Sequence, residues 1–355
     1  MGVRIVIAIL LSAILCACGG ASRLPEGAFY LPADAALVLA FDLPAVRSTD
    51  LYRELQERGG KVGLNRLNFM KFAQAAGLDP LRDIGWVTFV GRAHATEGPP
   101  IDELSALVTG TFDGTKMRRV LKESGMPSTQ REGVDIFEMV IVEGRCRFCI
   151  AVFDERTAAF GDGDTLAAMA DARSDRAKSL EGDAGIHRLL VRVDPRAAIW
   201  GLARGRDLSG PLAGLVGQVQ QSGPLPAALQ SVKDLSIFVV ARETVTVVMD
   251  AMASSPQDAL LVGDVLEGAG AAGRLALKQA KPDAAGLLSA FEVQVDGSLV
   301  RASASFPSER LVAMVGNAAD GFFGAPGMFR RFGAGSDAGP GAAAPSEPGA
   351  QPPAR

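Results

Sequence analysis

The chain has 355 residues, 48% hydrophobic and 21% charged, with a formal net charge of −4. That is ordinary for a globular protein able to bury a core, and it lacks the basic footprint that nucleic acid requires. Two Trp and two Tyr are too few for a base- or sugar-stacking platform.

Arg4 is followed by an apolar run over residues 5–15 and then by Leu15-Cys16-Ala17-Cys18-Gly19-Gly20. A positive start, an apolar run of about 7–15 residues and a small residue before the cut describe a secretory signal. A spanning helix needs about 20 apolar residues, more than this run supplies. The stretch resembles the lipobox of bacterial lipoproteins, with Leu15 at −3, Ala17 at −1 and Cys18 as the lipidated residue. Cys16 at −2 departs from the small or hydroxyl residue usual there. The resemblance implies a signal peptide over residues 1–17, lipid attachment at Cys18, and a tether over residues 18–30. Three acyl chains on one cysteine suffice for stable anchoring, so the lipid bilayer is the expected partner. Gly19 at +2 lacks the Asp that marks inner-membrane retention in some lipoprotein systems. That implies the outer membrane, facing the periplasm.

The first unit spans residues 31–175. Residues 36–41 read as a buried strand. A helix begins near Thr49 with Leu51, Tyr52 and Leu55 on one face, and a second over 64–76 stops at Gly77 and Pro80. Strands follow at 86–90 and 106–112. Asp113 starts a helix with Met117, Val120 and Leu121 inward. Strands at 134–142, 145–153 and 157–160 precede a helix bearing Leu166 and Met169. The pattern restarts over residues 185–325: a helix at 187–193, a strand at 198–202, a helix at 212–221, and strands at 235–241 and 244–251. Ser255 and Pro256 form a helix start, and that helix loosens at Gly268-Ala269-Gly270. A helical piece at 283–288 leads to a hairpin of 291–295 with 299–306, joined through Asp296-Gly297. Ser308 caps a last helix. Residues 333–355, rich in Gly, Ala and Pro, read as a disordered tail. The expected fold class is α+β: two tandem, duplicated units, each an antiparallel sheet covered by helices on one face.

Leu31-Pro32-Ala33-Asp34, Leu43-Pro44-Ala45-Val46-Arg47 and Gly77-Leu78-Asp79-Pro80 resemble stretches in a loose group of bacterial envelope proteins. The resemblance covers the first half. That group has no assigned activity, so it bears on fold and compartment alone.

Chemistry is thin. Cys146-Arg147-Phe148-Cys149 has CxxC spacing within a strand, where residues three apart lie about 10 Å from one another. A disulfide needs Cα atoms within about 7 Å, so two unpaired strand cysteines are the leading expectation, with a local disulfide across an irregular turn second and a redox or metal role third. Zinc needs further ligands, and the only histidines, His94 and His187, each stand alone. Gly268-Ala-Gly270-Ala-Ala-Gly273 matches the dinucleotide pattern but follows a helix rather than a strand. Asp154, Asp162 and Asp164 read as turn and cap residues, and Lys116, Arg118, Arg119 and Lys122 as a solvated basic face. No catalytic, cofactor or metal residue is expected. The leading expectation is a non-enzymatic binding or scaffold module. Carriage of an apolar ligand is the alternative, and a thiol-dependent enzyme comes third.

Overall fold

Strand β1 (Ala35–Asp42) places Val38 and Ala40 on one face and Leu37, Leu39 and Phe41 on the other. Both sets are apolar, so the strand needs neighbours on both sides and cover on both faces. In the computed structural model it lies mid-sheet, between β2 (Ile84–Arg92) and β8 (Ile199–Arg204). The structure describes residues 27–49, 82–92, 104–142, 144–204, 230–280 and 290–308, with 52, 74, 76–79 and 228 besides.

Among the described residues, twelve strands form one antiparallel sheet. The others are β3 (Leu104–Gly110), β4 (Ser128–Arg131), β5 (Val134–Val142), β6 (Arg145–Val152), β7 (Thr157–Gly161), β9 (Val232–Ala241), β10 (Thr244–Ala253), β11 (Glu292–Asp296) and β12 (Leu299–Pro307). Their order is β11-β12-β10-β9-β8-β1-β2-β3-β7-β6-β5-β4. The α+β class is as the sequence indicates. The sequence places a sheet in each half; the halves instead share one, because β1 hydrogen-bonds to β8 from Leu37↔Ala203 to Phe41↔Ile199.

Among the described residues, five α-helices accompany the sheet: α1 (Leu43–Arg47), α2 (Gly114–Glu123), α3 (Gly163–Ser174), α4 (Ala184–Leu190) and α5 (Pro256–Ala280). On the first face, Leu166 and Met169 of α3 and Ile186, Leu189 and Leu190 of α4 pack on Val38, Ala40, Trp200 and Phe238. On the second face, Met117 and Leu121 of α2 pack on Phe137, Ile150 and Ala158, while Ala259 and Val262 of α5 pack on Ala251 and Val300. Each large apolar side chain so buried stabilises the fold by about 1.5–3 kcal/mol.

Helix starts follow the side-chain caps. Asp113 accepts the Lys116 N–H at 2.8 Å, Asp162 that of Thr165 at 2.9 Å, and Ser255 that of Asp258 at 3.1 Å. Gly125 takes φ of +71° just past α2, the left-handed stop that glycine makes cheap, and Gly77 takes φ of +70°.

Some expectations change. β4 is wholly exposed and polar, so apolar patterning passes over it; Glu132 and Gly133 at φ +49° and +74° turn it into β5. Helix α5 runs unbroken through Gly268 and Gly270; Gly270 is held to glycine by Phe291, which a Cβ would approach to 2.7 Å, while a Cβ on Gly268 would meet open space. The last hairpin turns one residue later than expected, with Gly297 at φ +58° in a Gly297-Ser298 loop. The signal over 1–17, Cys18, His94, most of the helices expected at 49–60 and 64–76, those at 212–221 and 283–288 and after Ser308, and the tail at 333–355 lie outside the described residues.

Leu189 is fully buried in α4, whereas Leu275 on α5 is 64% exposed. Leu189→Ala is expected to cost about 2–5 kcal/mol in urea denaturation, and Leu275→Ala less than about 0.5 kcal/mol.

Candidate functional site

Three places gather the residues that sequence reasoning singled out: the entry of the chain, the cysteine pair, and the edge of the sheet beside α5.

At the entry, Gly27 turns at φ +83° against Leu107, and a 3-10 turn, Ala28–Tyr30, follows. Residues 27–30, assigned by sequence to the tether, are docked: Ala28 and Tyr30 are buried. The Tyr30 hydroxyl donates to Asp154 Oδ2 at 2.6 Å, and its ring meets Phe153 edge-on at 5.1 Å. Leu31 is fully buried, Ala33 N–H donates to the Lys178 carbonyl at 2.7 Å, and Arg204 donates to the Ala33 carbonyl at 2.7 Å. Arg92 pairs with Asp34 and also donates to the Asp164 carbonyl at 3.2 Å.

Burial pushes the Tyr30 hydroxyl up to about 12, helped by its bond to Asp154. Burial also pushes the Asp154 carboxyl up. Hydrogen bonds from Tyr30, the Arg156 N–H and Thr157, with the Arg173 charge, outweigh this and hold it below the usual carboxylate range. Asp154 therefore does the turn duty expected of it and also clasps the entry. Asp162 is the cap of α3, and Asp164 lies in that helix's first turn. Lys122 of the basic face pairs with Asp135 at 3.0 Å.

The cysteines depart from expectation: Cys146 and Cys149 form a disulfide, with Cα atoms 5.9 Å apart. The strand is not extended there. Cys146 stands opposite Ile141, Phe148 opposite Val140 and Cys149 opposite Glu138, so each strand carries one extra residue, Arg147 on β6 and Met139 on β5. Paired bulges bring together residues that a regular strand would hold apart. The disulfide packs on the start of α3, where a Cβ on Gly163 would lie 3.2 Å from Cys149 Sγ.

His187 falls in the last turn of α4 rather than at a helix start, beside Arg176, Glu181 and Arg188. Asp250 is completely buried. It accepts two bonds from Arg301, both at 2.7 Å, and one from Arg192 at 3.2 Å, tying β10 and β12 to the end of α4. Its hydrogen bonds, then its charge, hold Arg301 above the ordinary guanidinium value against the pull of burial. Sequence reasoning missed this group, since its members are 51 and 58 residues apart.

The Gly-rich stretch lies where α5 meets β11. A Cβ on Gly263 would approach Val295 to 2.8 Å and one on Gly270 would approach Phe291 to 2.7 Å. Gly263 and Gly270 thus seat the helix on the strand, and the Gly-rich stretch lies inside a helix rather than in the strand-to-helix turn a dinucleotide needs. Beside this seam lies an open groove of about 670 Å³, lined by Asp264, Glu267, Gly268, Ala271 and Arg274 of the helix and by residues 291–294. β11 is the last strand at this end of the sheet among the described residues.

Among the described residues no group of three or more His, Cys, Asp and Glu is placed to hold a metal ion. No described helix is long and apolar enough to cross a membrane. No family model and no curated protein matches the chain. A solved structure, crystal form I of TP0453, is similar with a TM-score of 0.42 and 8% identity over 82% of this chain and 97% of that one.

Tyr30→Phe removes a donor to a carboxylate and is expected to cost about 1–3 kcal/mol at neutral pH. Because the folded state lowers the Asp154 pKa, its contribution is complete above the unfolded value near 4 and is lost as pH falls through the folded value. The difference between wild type and Tyr30→Phe should therefore shrink below about pH 4 in acid titrations of stability. For the cysteine pair, alkylation of denatured, unreduced protein should leave Cys146 and Cys149 unmodified until a reductant is added.

Proposed function

We propose that the chain is a lipid-anchored, periplasm-facing lipoprotein that acts without catalysis as a binding or scaffold module. The observation that carries this reading is the open groove between α5 and β11, the last strand at this end of the sheet among the described residues. The disulfide supports export, because such bonds persist in oxidising compartments such as the periplasm. In this reading Cys18 bears the lipid, and the docked entry at residues 27–35 keeps the body near the bilayer. Residues 18–26 reach at most about 30 Å when fully extended.

The strand order supports a further part of the reading, an internal duplication. Outward from the centre, β8-β9-β10-β12-β11 repeats β1-β2-β3-β7-β6, and a helix follows the third strand in each half, α2 after β3 and α5 after β10. The units are those assigned to residues 31–175 and 185–325. β4 and β5 are then additions to the first unit.

A second reading, carriage of an apolar ligand in the envelope, is favoured by the second face of the sheet. Phe89 and Ile237 are exposed there, and Phe41 meets Phe89 edge-on at 6.1 Å.

Mass spectrometry of the protein extracted gently from its membrane tests these readings together. The anchored module predicts a mature chain beginning at acylated Cys18, recovered with the outer membrane and otherwise free of lipid. A chain cut elsewhere or left unacylated would overturn the anchor. A retained lipid beyond the acyl chains would move the reading to a carrier, and turnover of an ester, peptide or phosphate panel abolished by one substitution would move it to an enzyme.

A further inference from the structure

We propose that the α5–β11 groove takes an extended segment of a partner protein, alternating basic and apolar, as a further strand paired to β11. The inference rests on the binding-module reading and names the partner's chemistry. Such strand addition draws affinity from main-chain hydrogen bonds and specificity from alternate side chains.

Three observations meet at this edge. β11 pairs with β12 on one side from Glu292↔Ser303 to Asp296↔Leu299, and among the described residues no strand lies on its other side. In the first half, β6 occupies the corresponding place and is paired there with β5. Among the described residues, the second half thus has no strand at the place that β5 holds in the first.

The walls of the groove fit a chain rather than a helix. Gly268 and Ala271 carry almost no side chain, and α5 is drawn onto β11 by the contacts at Gly263 and Gly270. Residues 291–294 form the groove's other wall, and a strand added to β11 would sit about 4.8 Å from it.

Charge selects the sequence. The register places Glu292 and Asp296 on the face away from α5, and Val293 and Val295 on the face toward it. Asp264 and Glu267 are exposed on the helix rim, and Arg274, the one cation in the lining, is already engaged. An incoming strand therefore gains from Lys or Arg at the alternate positions that share a face with Glu292 and Asp296, with apolar residues between them beside Val293 and Val295. A second copy of this chain fits poorly. Two β11 strands paired antiparallel about Gln294 would set Glu292 directly opposite Asp296, and like charges so placed are destabilising.

The test is fluorescence anisotropy with the full-length protein and a labelled heptapeptide, Lys-Val-Lys-Val-Lys-Val-Lys. Saturable binding is expected that weakens with salt. It should fall by about tenfold or more in Glu292→Lys and in Asp296→Lys, and equally when alternate peptide amides are N-methylated. The substituted residues are exposed, and circular dichroism confirms that the variants fold. A photoreactive group on the peptide should cross-link to residues 292–296. No binding, binding indifferent to N-methylation, or binding unchanged by charge reversal would overturn the proposal. So would self-association through this edge that the peptide does not displace. If the peptide fails while a partner still cross-links elsewhere on the body, the strand-addition proposal falls and the binding-module reading stands.

Discussion

The pairing of β1 with β8 is the constraint on which the rest of the structure depends. Five register pairs, Leu37↔Ala203 to Phe41↔Ile199, turn two strand sets into one sheet. The close fit rests on Gly201, where a Cβ would lie 3.2 Å from Ile237 and 3.3 Å from Leu39. Trp200, almost fully buried, fills the first face at the same place. Because both central strands are apolar on each face, neither half can fold with its inner edge left to water without losing that cover.

From that seam the architecture follows. The first face is covered by α3 and α4, and the docked entry of residues 27–35 lies against the same layer. The second face is covered toward its ends by α2 and α5. A sheet with ends must then deal with its edges, and the two are treated differently. β4 is short and polar, and its Arg131 is committed to Asp171 at 2.6 Å and 2.7 Å. β11 is short and acidic but stands beside a groove. Charge on an edge strand discourages indiscriminate pairing, and an acidic edge leaves it open to a basic partner.

Much of this was legible in the sequence because the signals were local. Apolar runs and alternation located eleven of the strands within a few residues, and Asp113 and Ser255 marked helix starts through caps that need only three residues of context. β4 was not legible: Ser128-Thr129-Gln130-Arg131 has no apolar residue, and only its partner β5 makes it a strand. The cysteine pair was misread because a bulge is a property of two strands in register, and residues 145–149 alone look extended. The glycines of α5 were read as a break for the same kind of reason. Gly270 is there because of Phe291, which the sequence does not place beside it. The joining of the halves, the Asp250 ion group and the groove all depend on contacts between distant segments, and none leaves a local mark.

Hydrogen exchange followed by mass spectrometry tests the central claim most directly, that the two halves form one cooperative sheet through β1 and β8. The account predicts that amides of residues 35–42 and 199–204 are the slowest to exchange, and that they and the strands flanking them on both sides open together in one event. Exchange of residues 232–308 as a separate unit, with β1 retaining its protection after β8 has lost its own, would contradict it.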